Sequence, residues 1–157
     1  MNYTIKLIIY LVLNFAALGI GGLFTAKAVN GPWYLALQKA PWTPPGWVFG
    51  AAWTLIMITF SFFMAKITPE ISSDLFKSII IIYIFQWILN VIWNPIFFKY
   101  HQMLLGLLVI MMLTMVVGYL VYYGFKTQEK YYVLLILPYF LWLCIASSLN
   151  AYAYFKN

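Results

Sequence analysis

The sequence predicts an all-α integral membrane protein, a bundle of five transmembrane helices. Of its 157 residues, 66% are hydrophobic and only 8% are charged, whereas a soluble domain is about one-quarter charged. The few charged residues leave five uncharged stretches, each long enough to cross roughly 30 Å of hydrocarbon as a helix. These stretches are residues 7–26, 40–65, 78–98, 103–125 and 131–155. They leave no length for a separate soluble domain, so we expect one domain over residues 1–157.

The five helices are predicted from where these stretches meet polar or helix-breaking residues. Pro44-Pro45-Gly46 suits the start of helix two, because proline is tolerated in a first helical turn. Polar connectors hold Glu70 and Asp74 before helix three and Glu129 before helix five. Short connections predict that consecutive helices lie antiparallel and adjacent. The predicted helices are residues 5–26, 46–65, 77–98, 103–123 and 131–155, and residues 27–45 form a lid-like loop.

Helix one is predicted to be retained rather than cleaved as a signal peptide. Its apolar run is about 20 residues long, whereas the apolar core of a signal peptide has about 7–15. Ala17, Gly21 and Thr25 follow at four-residue spacing, which lets helices approach closely in lipid. Three interpretations stay open for this face: packing within the chain, a dimer interface, or a smooth wall of a ligand cavity.

The segment of residues 32–53 is rich in rigid and aromatic side chains. It holds four of the seven tryptophans and four of the seven prolines. Such a segment between two membrane helices predicts a rigid lid over a large, flat, apolar ligand. Aromatic residues, with apolar ones among them, follow helical spacing on helices two and five and extend this pattern, although such stripes more often only pack in a core. These residues are Phe49, Trp53, Met57 and Phe60 on helix two, and Tyr139, Trp142, Ala146 and Leu149 on helix five.

Helix three is the most polar of the five. Gln86, Asn90 and Asn94 follow three- and four-residue steps and therefore share one face with Tyr83. Because amides in lipid must find partners, Gln86 and Asn94 are predicted to hydrogen-bond neighbouring helices.

Several function classes are disfavoured by what the helices lack. No ionisable acid or base is predicted at mid-membrane depth, which argues against ion pumps and proton-coupled carriers. His101 is the only histidine and Cys144 the only cysteine, so no metal site and no internal disulfide are predicted. The net charge of +6 comes from lysines near helix ends, which indicates contact with lipid headgroups rather than nucleic acid. Five lysines fall on one side and four on the other, so the positive-inside rule leaves the orientation open.

The chain resembles the TspO/MBR family of tryptophan-rich sensory proteins, the bacterial homologues of the mitochondrial translocator protein (peripheral benzodiazepine receptor). The resemblance covers essentially the whole chain. It rests on Trp33-Tyr34, on Pro41 to Gly50 with Trp53-Thr54, on Leu89-Asn90, on Trp93 to Phe98, and on Leu137-Pro138-Tyr139 through Trp142 to Asn150.

The resemblance implies a five-helix bundle, usually a homodimer, with a ligand cavity closed by the first loop. It implies binding of protoporphyrin IX and other tetrapyrroles, of PK11195 and related benzodiazepine-type ligands, and, in animal members, of cholesterol. For bacterial members it implies light- and oxygen-dependent breakdown of protoporphyrin in the cell membrane. The implied ligand-binding residues are Trp33, Tyr34, Phe49, Trp53, Asn90, Trp142, Ala146 and Leu149.

The leading hypothesis is a membrane protein that binds protoporphyrin IX and promotes its photo-oxidative degradation, with Trp53 and Trp142 beside the excited ring. Lys39 could meet the propionates, and neither a metal nor a resident cofactor is expected. The alternative is a non-catalytic tetrapyrrole or lipid sensor, or a transmembrane carrier. Helix one is the better candidate for the dimer interface. Leu149, Tyr152 and Lys156 only loosely match a cholesterol-binding pattern, which leaves lipid binding there open.

Overall fold

Five long apolar helices make up most of the part of the chain that the structure describes, which confirms the predicted all-α membrane fold. The computed structural model describes residues 2–69, 73–127 and 130–157. Glu70 and Glu129, predicted in two connectors, lie outside the described residues. Each of the five helical segments is long and apolar enough to cross a membrane. The helices are α1 (Tyr3–Ala28), a short α2 (Pro32–Ala36), α3 (Gly46–Ile67), α4 (Asp74–Asn94), α5 (Met103–Lys126) and α6 (Val133–Lys156).

Local polar contacts set where several helices begin. The side chain of Asn2 accepts a hydrogen bond from the Thr4 amide at the start of α1 (2.9 Å). Ser73 does the same for Phe76 at the start of α4 (3.1 Å). Such caps satisfy N–H groups that have no partner in the first helical turn. At its other end α4 passes into a π-helical turn, Pro95–Lys99, because proline cannot donate the next helical hydrogen bond.

The helices form a closed ring in which α1 packs on α3 and α4, α4 on α5, α5 on α6, and α6 on α3. The predicted adjacency of consecutive helices therefore holds except for α3 and α4, whose main neighbours are other helices. The reason is that α1 lies between them and carries a polar side chain that bonds both. Asn14 of α1 donates to Ser61 of α3 (2.8 Å) and accepts from Tyr83 of α4 (2.8 Å).

The bundle is solidly packed at the end that holds both Lys6 and Thr68, and open at the end beneath the lid. Fully buried side chains such as Phe60, Phe63 and Tyr139 fill the packed part. Gln86 of α4 donates to the Tyr139 hydroxyl of α6 (2.7 Å), which confirms its predicted role in joining helices. This packed region fixes the relative positions of the helices that surround the cavity described next.

Candidate ligand-binding site

A cavity of about 550 Å³ lies under the lid, within the range of roughly 300–1,000 Å³ typical of small-molecule sites. Its wall is formed by α1, α3, α4 and α6, with Ile110 from α5 and the lid segment above. Six of the eight residues predicted to bind ligand line it. These are Tyr34, Phe49, Trp53, Asn90, Trp142 and Ala146.

The other two predicted residues lie elsewhere. Leu149 lines a smaller recess of about 70 Å³ between the lid and α6, where Leu37 and Ala40 of the lid cover it. Trp33 is absent from both linings. Its ring stacks on His101, with 3.9 Å between the ring centroids. Trp33 therefore anchors the lid helix to the turn before α5 rather than forming part of the cavity wall.

The small-residue face of α1 points into the molecule. Ala17 and Gly21 are buried, and both line the cavity together with Thr25. Of the three open interpretations, packing within the chain and a smooth cavity wall both describe this face. Ala17 and Gly21 are covered by the chain itself, whereas Gly22 and Ala26 beside them are exposed, so a dimer interface through this helix stays a prediction.

Polar side chains of α4 form one side of the cavity. Thr25 of α1 donates to Asn94 Oδ1 (2.9 Å), and Asn94 Nδ2 donates to the Asn90 carbonyl (3.0 Å). This bond to α1 confirms that Asn94 joins neighbouring helices. The side-chain amide of Asn90 has no hydrogen-bond partner among the described residues, although only 8% of the residue is exposed. Asn90 thus presents an unused polar group at the cavity.

The tryptophans of the wall are held edge-on by their neighbours. Trp142 meets Phe49 with ring centroids 5.3 Å apart, and Trp53 meets Tyr139 at 5.9 Å. Within the described chain, neither indole N–H has a hydrogen-bond acceptor, and that of Trp142 is fully buried. A buried donor without a partner costs about 1–3 kcal/mol, which the surrounding packing must offset.

Sequence reasoning missed Trp93 as a lining residue. It lies on the cavity wall, and its indole N–H donates to Asn150 Oδ1 of α6 (3.0 Å). Trp93 lies three residues after Asn90, so helical spacing contained the signal.

Lys39 and Tyr34 are the ionisable side chains among the described residues of the lining. The Lys39 ammonium lies 4.5 Å from the centroid of the Tyr34 ring. Burial raises the pKa of the Tyr34 phenol above its ordinary value, so Tyr34 is uncharged at neutral pH. The lining therefore carries one cationic group on a largely apolar and aromatic surface.

The second half of the lid is fastened to α6. Trp42 donates its indole N–H to Ser148 (3.1 Å), and its ring meets Tyr152 at 5.4 Å. The backbone N–H of Gln38 donates to Asn157 Oδ1 (2.9 Å), and Asn157 Nδ2 donates to the Gln38 carbonyl (3.3 Å). Tyr152, considered above for lipid binding, is thus a contact of the lid.

A membrane-embedded helical bundle with an aromatic cavity under a tryptophan- and proline-rich lid is the class of protein that this geometry defines. The family model described as the TspO/MBR family matches residues 8–155. The chain belongs to this family, and the resemblance seen in the sequence is confirmed.

Individual relatives agree with this assignment. The tryptophan-rich protein TspO of Archaeoglobus fulgidus is 33% identical over 149 residues, which are 93% of this chain and 94% of that protein. Protein CrtK of Rhodobacter capsulatus is 30% identical over 137 residues, covering 87% of this chain and 85% of its own. The translocator protein of Bos taurus is 29% identical over 136 residues, with 83% and 80% covered.

Proposed function

We propose that the chain binds protoporphyrin IX, and smaller neutral aromatic ligands of the PK11195 type, in this cavity. We further propose that it promotes the breakdown of the porphyrin in the presence of light and oxygen. One observation carries the proposal: Trp53 and Trp142 both lie on the wall of an aromatic cavity of about 550 Å³.

The chemistry of the lining suits a flat aromatic ring with acidic arms. Indole and phenyl faces stack on or pack edge-on against an aromatic plate, and this wall offers Phe49, Trp53 and Trp142. The Lys39 ammonium lies on the lid side, where the propionates of a porphyrin could form ion pairs with it. A neutral ligand would use the same aromatic wall without the ion pair.

In the proposed reaction, light supplies the energy and O₂ is the oxidant. The reaction therefore needs neither a resident cofactor nor an acid–base pair. In the net change, both atoms of O₂ add across one methine carbon–carbon double bond of the porphyrin. That carbon–carbon bond breaks and two carbonyl groups form, so no external reductant is consumed. Within the described residues, the lining offers no carboxylate, imidazole or thiol that could take another role.

Trp53 and Trp142 would act as reversible electron donors. The excited porphyrin takes one electron from an indole, and O₂ adds to the reduced ring. The same electron returns to the indole radical as the carbon–carbon bond breaks, so the indole ends unchanged. This role requires an easily oxidised side chain in contact with the ring, which a phenylalanine does not provide.

The test is an absorbance time course of the purified protein with protoporphyrin IX, in light and in darkness. The double variant Trp53→Phe, Trp142→Phe should still bind porphyrin but lose the light-driven decay of its absorbance. The control variant is Trp47→Phe, Trp87→Phe, because Trp47 is 75% exposed and Trp87 donates to the Leu13 carbonyl outside the cavity. Equal bleaching in both variants would exclude the proposed role of the cavity tryptophans.

The same experiment separates degradation from the alternative of a sensor or carrier without chemistry. Under that alternative, the wild-type protein binds porphyrin and returns it intact after illumination. Mass spectrometry of the extracted pigment distinguishes the two outcomes, because the degradation product gains the mass of O₂.

We also propose that the protein resides in a bacterial cell membrane and forms a homodimer there through the outer face of α1. The bacterial source of the relative CrtK supports this location. Val12, Ala16, Gly19 and Leu23 share the exposed face of α1, opposite Ala17 and Gly21. In a Cys144→Ser background, Gly19→Cys should form a disulfide-linked dimer in membranes, whereas Ala17→Cys should not.

A further inference from the structure

His101 occupies an unusual position in the chain. It is the only histidine and lies between the π-helical turn Pro95–Lys99 and α5. Its backbone has a φ of 55°, in the left-handed region that residues other than glycine adopt infrequently and that His, Asn and Asp adopt more readily. The backbone thus holds the imidazole in a defined direction.

That direction places the imidazole flat against the lid. The His101 and Trp33 rings are 3.9 Å apart between centroids, with 12° between their planes. The Trp33 ring also meets the Phe97 ring edge-on, with 5.6 Å between the ring centroids. Phe97 in turn stacks on Trp93, with 5.3 Å between centroids and 12° between the ring planes. Trp93 is part of the cavity wall, so a continuous run of rings joins His101 to the ligand site.

We propose that His101 is a positioning residue that makes closure of the lid depend on pH, because its protonated ring holds Trp33 more tightly than its neutral ring does. The effect on ligand retention rests on the proposed binding function. The effect on Trp33 itself does not, and it can be measured without a ligand.

The direction of the effect follows from the two charge states of imidazole. Histidine is the side chain that ordinarily gains its charge between about pH 8 and pH 5. A cation over an indole face is attracted by the negative face of the ring, so the stack strengthens as the pH falls. The lid helix α2 should therefore be held more firmly in acid and released more readily in base.

The groups around His101 leave Trp33 as the favourable partner of the imidazolium. Its own turn carries Lys99 and Tyr100, the lid carries Tyr34 and Lys39, the end of α1 that packs on this turn carries Lys27, and the start of α5 at Met103 carries no titratable group. The sequence has no Asp or Glu in residues 27–45 or 95–106. The three lysines repel the imidazolium through solvent, and salt screens this repulsion. Measurements at about 0.5 M salt therefore isolate the stack.

The first measurement is ligand-free tryptophan emission between about pH 8 and pH 5. An imidazolium in contact with an indole quenches its fluorescence. The emission of Trp33, obtained as wild type minus Trp33→Leu, should fall as the pH falls. The same difference in a His101→Asn background should stay flat, and Asn keeps the left-handed backbone accessible. A flat profile in the wild-type protein, or an unchanged fall with His101→Asn, would overturn the proposal.

The second measurement is the dissociation rate of PK11195. This probe is neutral, so a charge at His101 does not attract it directly. We expect dissociation about two- to fivefold slower at the acid end of the range than at the basic end. His101→Asn should bring this ratio close to one, while the control Trp47→Phe should keep it. A wild-type ratio of one, or an equal ratio with His101→Asn, would contradict the inference. If the probe does not bind at all, the ligand-binding proposal fails. The Trp33 emission then still decides whether the contact between His101 and Trp33 depends on pH.

Discussion

Gly21 of α1 and Asn94 of α4 approach so closely that a Cβ atom on Gly21 would lie 2.7 Å from Asn94 Nδ2. The close approach lets Asn94 accept from Thr25 (2.9 Å) while it donates to the Asn90 carbonyl (3.0 Å). Glycine at position 21 therefore leaves the space that the Asn94 amide occupies between α1 and α4. Gly21 lies within α1, so what matters at this position is its missing side chain and not an unusual backbone conformation.

Replacing Gly21 with alanine should displace the Asn94 amide and break its bond to Thr25. Relative to Gly22→Ala, which gains the same helix propensity, we expect a loss of stability of about 1–3 kcal/mol, as for other insertions into a packed site, together with weaker ligand binding. The matched control is Gly22→Ala, because no heavy atom lies within 4 Å of a Cβ built there. Denaturation in detergent measures stability. Equal stability of the two variants would show that Asn94 adapts freely.

Tyr83→Phe should destabilise the bundle by removing one hydrogen bond among α1, α3 and α4. Tyr83 donates to Asn14 Oδ1 (2.8 Å), and Asn14 is buried. The variant leaves that oxygen unsatisfied, at a cost of about 1–3 kcal/mol. Tyr119→Phe on the exposed surface of α5 should be nearly neutral. The comparison of unfolding midpoints checks this, and similar midpoints would mean that Asn14 finds another donor.

The helices and their inward faces could be predicted because the membrane restricts which backbone structures can cross it. A helix must satisfy its own backbone, so uncharged stretches of sufficient length become spans. Residues three and four apart share a face, which brought Phe49 with Trp53, and Trp142 with Ala146, to one cavity. The polar face of α4 could be predicted to point inward because amide side chains in lipid must find hydrogen-bond partners.

The existence of the lid could be predicted from its tryptophans and prolines, but its contacts could not, since a loop has no periodicity to read. Trp33 contacts His101 across 68 positions of sequence, and no local pattern indicates such a partner. Leu149 does share the face of Ala146, but it lines the smaller recess, whose wall includes Leu37 and Ala40 of the lid, and not the main cavity. The separation of α3 from α4 likewise depends on a tertiary contact, the insertion of Asn14 between them.

Lys39→Gln should weaken binding of a dicarboxylate porphyrin by about two- to fivefold at low salt, the scale of an exposed ion pair. Binding of the neutral PK11195 should stay unchanged, because that ligand has no carboxylate to pair. The difference should shrink at high salt, where exposed charges are screened. Lys99→Gln is the control, since Lys99 does not line the cavity. Fluorescence titration gives the affinities, and equal weakening of both ligands would assign Lys39 to lid structure instead of charge recognition.

Ser148→Ala should loosen the second half of the lid without altering the cavity wall. The variant removes the acceptor of the Trp42 indole N–H (3.1 Å), and this exposed bond contributes about 0.5–1 kcal/mol. Ligand dissociation should therefore become about two- to fivefold faster. Ser147→Ala is the matched neighbour, because Ser147 instead bonds Thr114 between α6 and α5 (3.1 Å). It should lower bundle stability and leave dissociation unchanged. Stopped-flow displacement of bound PK11195 measures both rates, and faster release from Ser147→Ala alone would place the control of release in the bundle rather than in the lid.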